Sequence, residues 1–164
     1  MREHFVVAVP PDPDRVDTED DVPFPQFLCG IAERQPDGKT PAPNILIYLY
    51  HTDMYGIYGK KGEHKDGKFR GWMLTDTNGK YRFRSIKPAP YPNTTSAAHV
   101  HMTLTGKRVR EDWIDSILFE GDRFISQRER EKAGKRGGFY PILKLEKGVD
   151  GILRGTRDIQ LMKV

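Results

Sequence analysis

The sequence predicts an all-β protein, an antiparallel β-sandwich with one short helix near 126–134. Three observations carry this. Short runs rich in β-branched and aromatic residues recur along the chain. Turn signals built from Gly, Pro, Asn and Asp separate them. One stretch alone carries helix signals. Strands at short spacing between such turns are the pattern of a sandwich.

Residues 1–26 come first and read differently. Pro10, Pro11, Pro13, Pro23 and Pro25 surround six acidic residues between Asp12 and Asp21. This composition predicts an extended N-terminal arm over a surface, with the single sandwich domain spanning 27–164. Phe27–Glu33 is the first expected strand, and Cys29 within it is expected to be a small buried side chain. Pro36-Asp37-Gly38-Lys39 is a turn. Asn44–Tyr50, Asn-Ile-Leu-Ile-Tyr-Leu-Tyr, is the strongest strand signal in the chain. Phe69–Thr75 follows, and Asp76-Thr77-Asn78-Gly79 predicts a tight hairpin into Lys80–Ile86. There Tyr81, Phe83 and Ser85 alternate with Lys80, Arg82 and Arg84, giving one apolar and one wet face. Ala97–Leu104 is a further strand, and Tyr140–Leu145 and Ile152–Leu161 supply two more. The helix is Ser126–Ala133, with Ser126 as N-cap and Glu129 completing a capping box.

Composition narrows the function. The 164 residues carry 27 Lys+Arg and 23 Asp+Glu, net +4, and mean hydropathy is −0.67. The basic residues interleave with acids, as in Arg128-Glu129-Arg130-Glu131-Lys132, so no concentrated stripe for nucleic acid is present. The longest apolar-leaning run, Ile45–Tyr50, falls far short of the roughly 20 residues a membrane span needs. One cysteine excludes an intramolecular disulfide, and no Cys/His zinc framework exists. No signal peptide is visible, which favours a cytoplasmic location without excluding a secreted one.

The chemistry-bearing feature is His99-Val100-His101. On a strand, residues i and i+2 face the same way, so two imidazoles stand side by side. On spacing alone this is either a metal-binding pair or two histidines on a wet face. Just upstream, Tyr91 lies between Pro90 and Pro92, where its backbone is stiff. It either packs on those prolines or reaches the histidines. Tyr58 sits in a Gly-bracketed loop after the strongest strand, with Tyr55 as its competitor. Two phenols and two imidazoles suit Fe(III). A phenol of pKa about 10 is held as phenolate at neutral pH only by a strongly charged ion. Zinc prefers His, Cys and carboxylate, and calcium prefers carboxylate and carbonyl oxygen.

These segments resemble the intradiol ring-cleavage dioxygenases, which share a prealbumin-like core. The matching stretches are Asp37–Asn44, Tyr48–Asp53 through Gly56-Ile57-Tyr58, Arg70-Gly71-Trp72, Thr75–Arg84, Ile86–Pro92, Ala98–His101 and Leu118–Asp122. The Lys-Pro-x-Pro-Tyr-Pro and Ala-His-x-His pieces are the specific ones. The Thr-Asp-x-x-Gly-x-Tyr piece also occurs in non-catalytic sandwich modules that bind carbohydrate or protein. The resemblance implies Fe(III) as cofactor, with Tyr58, Tyr91, His99 and His101 as ligands, Tyr91 leaving as substrate binds and Tyr58 staying. It implies a catechol-type substrate and O2, opened to a muconate-type diacid. Asp53, Met54, Tyr55, Ile57 and Trp72 are the expected pocket wall. Two positions depart from the family. Ser96 stands where the family has an arginine three residues before the first histidine, and Ser116 near a family glutamine. Arg70, Arg123 and Arg136 are candidate substitutes for that cation; the other readings are an unusual, electron-rich substrate, or an iron centre that does different chemistry or none. Arg136-Gly137-Gly138-Phe139-Tyr140 reads as a loop. Exposed sheet edges leave room for a homodimer.

Overall fold

A computed structural model describes residues 26–29, 33–34, 36–59, 64–107 and 109–162. The expected N-terminal arm and the side chain of Cys29 lie outside what it describes, and Gln26 already belongs to the first strand. Among the described residues no helix is long and apolar enough to cross a membrane.

The strands are β1 (Gln26–Cys29), β2 (Glu33–Arg34), β3 (Leu46–His51), β4 (Arg70–Leu74), β5 (Phe83–Ile86), β6 (His99–Gly106), β7 (Val109–Trp113) and β8 (Ile117–Phe119). After α1 (Gln127–Lys132) come β9 (Ile142–Leu143), β10 (Glu146–Lys147), β11 (Leu153–Gly155) and β12 (Ile159–Gln160). The larger sheet runs β4-β3-β6-β8-β9, with β7 also paired to β6. A second sheet runs β10-β11-β1-β5, and β12 pairs β2.

Alternation builds the core. Ile47, Leu49 and His51 of β3 and Val100, Met102 and Leu104 of β6 turn inward and are almost wholly buried. The five apolar ones join Phe83, Ile117, Phe119, Leu143 and Ile159 in one cluster that spans the sheets. His51 is the polar member of this layer. Its Nδ1 meets the Thr52 carbonyl and its Nε2 the Ser85 hydroxyl, both at 2.7 Å, so each ring nitrogen has a partner.

The structure amends four expectations. Among the described residues three pairings run parallel and the others antiparallel: β1 with β11, β2 with β12, and β8 with β9 are the parallel ones. The chain reaches those partners through long excursions, which hairpin signals do not encode. The Asp76–Gly79 turn is tight, with Gly79 N–H donating to the Asp76 carbonyl and Asn78 and Lys80 N–H to Asp76 Oδ1. It does not close a hairpin: β4 pairs β3, whereas β5 pairs β1 in the other sheet. Ile152–Leu161 is two strands, β11 and β12, in different sheets, and the strand expected over Phe27–Glu33 likewise divides between β1 and β2. β7 and β8 appear where no strand is expected. The helix is as read: Ser126 caps it, and Glu129 closes the capping box.

Candidate metal centre

The outward face of β6 builds the site. With Val100 and Met102 committed to the core, His99 and His101 must point to the outer face of the larger sheet. The start of β6 is held by Ala98 N–H, which donates to Asp122 Oδ2 at 2.8 Å. Across the ladder Tyr50 is the register partner of His101, and their rings stack with centroids 4.6 Å apart.

Two loops bring the phenols. The loop after β3 is organised by Asp53, whose Oδ1 accepts the N–H groups of Tyr55 and Ile57 at 2.8 and 2.9 Å. Ala89 N–H donates to the Asp53 carbonyl, and Thr52 Oγ1–H to the Ala89 carbonyl. The loop carrying Tyr58 is thereby tied to the segment carrying Tyr91. Gly56, at φ +77°, lies so close to Pro90 that a Cβ there would run into the Pro90 carbonyl. Gly67, at φ +75°, approaches the backbone of Tyr58 in the same way from the other side.

The four side chains converge. Tyr58 Oη and Tyr91 Oη are 2.6 Å apart. Tyr91 Oη lies 3.1 Å from His99 Nε2 and 3.4 Å from His101 Nε2, and the two Nε2 atoms are 3.1 Å apart. Donors held about 2.0–2.2 Å from a single ion are separated from one another by roughly 2.8–3.6 Å at tetrahedral to octahedral angles. The three separations that involve nitrogen fall in this window. The outer partners agree. His99 Nδ1 donates to the Ala97 carbonyl at 2.7 Å, leaving its Nε2 lone pair for the centre. His101 Nδ1 meets Ser116 Oγ at 3.2 Å. Burial and the neighbouring His99 lower His101 to about 4, so its imidazole is neutral near pH 7. Burial and the Tyr91 hydrogen bond raise the Tyr58 phenol above its ordinary value, so phenolate there requires a cation. The donor set therefore fits a hard, highly charged metal. Among the described residues no group of three or more His, Cys, Asp or Glu is placed to hold one.

Tyr55, the competitor of Tyr58, is 68% exposed and stands outside the cluster. Ile57 is exposed on the same loop. Trp72 stacks on Tyr48 at 4.8 Å, with Tyr48 and Tyr50 between it and the histidines. A cavity of about 450 Å³ opens beside His99 and His101, walled by Ser96, Ser116, Leu118, Pro141 and one face of α1. Asp53, Tyr55, Ile57 and Trp72 are not in that wall.

A family model described as Dioxygenase matches residues 11–137. The chain belongs to the intradiol ring-cleavage dioxygenase family. The beta chain of protocatechuate 3,4-dioxygenase from Burkholderia cepacia is 28% identical over 101 residues, which cover 55% of this chain and 43% of that protein. This chain therefore spans under half the length of that curated relative. In fold it is similar to 3-chlorocatechol 1,2-dioxygenase from Rhodococcus opacus 1CP, with a TM-score of 0.69 at 19% identity, covering 88% of this chain and 62% of that one. It is similar also to an intradiol ring-cleavage dioxygenase from Tetranychus urticae, with a TM-score of 0.67 at 16% identity, covering 96% and 84%.

Within this intradiol sandwich, the three candidate substitutes for the family's arginine, whose place Ser96 takes, are committed elsewhere. Arg70 donates to the Gly67 carbonyl, Arg136 pairs with Asp112, and Arg123 lies over the Phe124 ring. None of the three lines the cavity. Arg128 and Lys132 of α1 do. Sequence reading also passed over Tyr50 and Asp122 as supports. The alternation of β3 signals that Tyr50 faces outward, and only the β3–β6 register reveals that it meets His101. Arg136–Tyr140 is a loop packed on β12: Gln160 N–H donates to the Gly137 carbonyl at 2.8 Å.

Proposed function

We propose that this chain binds one Fe(III) through Tyr58, Tyr91, His99 and His101, and opens a catechol-type aromatic diol between its two hydroxyls. The ring carbon–carbon bond breaks, both atoms of O2 enter the product, and a muconate-type diacid results with no external reductant. The observation that carries the reading is the convergence of two phenols and two imidazoles, from one strand and two loops, on a single point.

When bound, Fe(III) supplies Lewis acidity that draws electrons from a chelated ring and makes it reactive toward O2. The chain's own residues do the rest. Tyr58, whose backbone Gly67 approaches closely, stays as the anionic donor. Tyr91 Oη, which touches the other three donors, takes up a diol proton as the substrate displaces it. The Ala97 carbonyl and Ser116 hydroxyl hold the two imidazoles with Nε2 toward the centre. Ala97, Leu118, Ala133 and Pro141 make the cavity wall beside the histidines partly apolar, which suits an aromatic ring. Tyr55 and Ile57 flank Tyr58 on its loop and are proposed contacts to the substrate's outer edge. Asp53 acts by shaping that loop, and Trp72 by backing Tyr48.

The test is a visible spectrum of purified protein beside a metal assay, followed by oxygen uptake with catechols. Expected are a broad phenolate-to-iron absorption, about one iron per chain, a spectral change on adding a catechol, and a ring-opened product. Protein that remains colourless and iron-free after reconstitution would overturn the reading.

A further inference from the structure

We infer that Asp66 and Tyr48 form a positioning pair that sets where Tyr58 presents its phenol; this rests on the ligand role proposed for Tyr58 above. Tyr48 Oη–H donates to Asp66 Oδ2 at 2.6 Å, the length of a charge-assisted bond. Both partners are held in place. The Tyr48 ring is stacked on Trp72 of β4 at 4.8 Å and on Tyr50 of its own strand at 5.7 Å, so the sheet fixes where its hydroxyl lies. The Asp66 side chain is only 14% exposed. A carboxylate so largely withdrawn from water needs a donor, and Tyr48 supplies one.

Asp66 leads directly into Gly67, and Gly67 lies against the Tyr58 backbone. A Cβ at Gly67 would overlap the Tyr58 carbonyl, so the two stretches of chain are in direct contact. The turn between them and β4 is stiff. Gly67 N–H donates to the His64 carbonyl at 2.9 Å, and Arg70 donates to the Gly67 carbonyl. A shift at Asp66 is therefore passed on to Tyr58 rather than absorbed. The residues just before Tyr58 do not supply this hold, because the Tyr55 and Ile57 side chains are exposed. At the far end of the side chain there is little slack, with Tyr58 Oη already 2.6 Å from Tyr91 Oη. Neither Asp66 nor Tyr48 belongs to the donor set. They act through the Tyr58 backbone, as outer partners that orient a ligand.

The experiment reads iron affinity, by competition with a chelator, and the phenolate-to-iron band of the iron-loaded protein, both independently of turnover. Tyr48→Phe removes the hydroxyl and keeps both ring stacks. It should move the band and weaken iron binding by roughly tenfold or more. Asp66→Ala should do the same. The Tyr48→Phe/Asp66→Ala double variant should be no worse than the more severe single, because both changes remove one interaction. Asp66→Asn, which still accepts from the phenol, should recover much of the original band. In a Tyr58→Phe background, Tyr48→Phe should no longer move the band of whatever iron remains, which ties the effect to Tyr58. Thermal unfolding checks that each variant is folded, and Ile159→Val, a core change on β12, should lower the melting temperature without moving the band. An unmoved band in both Tyr48→Phe and Asp66→Ala, or losses that add in the double variant, overturns this inference and leaves the proposed function standing. If the unaltered protein takes up no iron and shows no band, the proposed function itself fails.

Discussion

Tyr50 lies nearly flat against His101, their planes 28° apart, and the two are opposite one another across β3 and β6. The stack makes the sheet ladder part of the candidate metal site, because the ring that limits His101 is carried by the neighbouring strand. Tyr50 also meets Tyr58 at 5.8 Å and the edge of Trp113 at 6.4 Å, and is 9% exposed.

Truncating Tyr50 is therefore expected to act twice. Tyr50→Ala should destabilise the fold by about 2–4 kcal/mol, as loss of a largely buried ring does, and lower iron occupancy by freeing His101. Tyr50→Phe keeps the ring and should keep the iron. Urea denaturation and a metal assay on both variants check this, and an iron-replete Tyr50→Ala protein would dissociate the stack from the site.

The donors have separable signatures. His101→Ala should lose most iron and all ring opening, as should Tyr91→Phe. Tyr58→Phe should shift the visible absorption of whatever iron remains. Full iron and full turnover in His101→Ala would contradict the ligand set. An unchanged spectrum in Tyr58→Phe would move that role to Tyr55, against its exposed position.

Gly56→Ala tests how the two tyrosines are held together. The position has φ +77°, and a Cβ there would meet the Pro90 carbonyl. Strain of this kind costs on the order of 1–3 kcal/mol. Relief requires the Tyr58 loop to move away from the Tyr91 segment. The expected outcome is a lower melting temperature together with reduced iron uptake.

Acid should destabilise the protein through His51. Its burial lowers it to about 4 from an ordinary 6.5. Between those values the unfolded chain binds a proton that the folded chain does not, so stability is full above about pH 6.5 and falls as pH drops toward 4. By linkage the loss is about 3 kcal/mol. Denaturation at pH 7.5, 5.5 and 4.5 reads the slope. His51→Gln, which does not titrate there, should reduce the slope to the part that His101, lowered in the same direction, contributes, at the cost of some stability at pH 7.5.

The sequence by itself determined the elements with strong local patterns and the candidate ligand residues. Asn44–Tyr50 alternates so firmly that β3 forms almost as read, and the Ser126/Glu129 box locates α1. The His-x-His spacing places both imidazoles on one face wherever β6 sits. The Pro-flanked Tyr91 and Gly-bracketed Tyr58 announce rigid loops. Tertiary structure alone decided which strands pair, because hydrogen-bonding edges are alike in every strand and carry no address in the local sequence. The Asp76–Gly79 turn shows the limit. Its chemistry dictates a tight reversal, but whether the following strand returns to β4 or crosses to β1 depends on which core face buries Phe83. The same holds for the far side of the site. Arg128 is one cation within an interleaved run, and only the packing of Ala133 on the cluster of Ala97, Ile125 and Ile142 turns it toward the cavity beside the histidines.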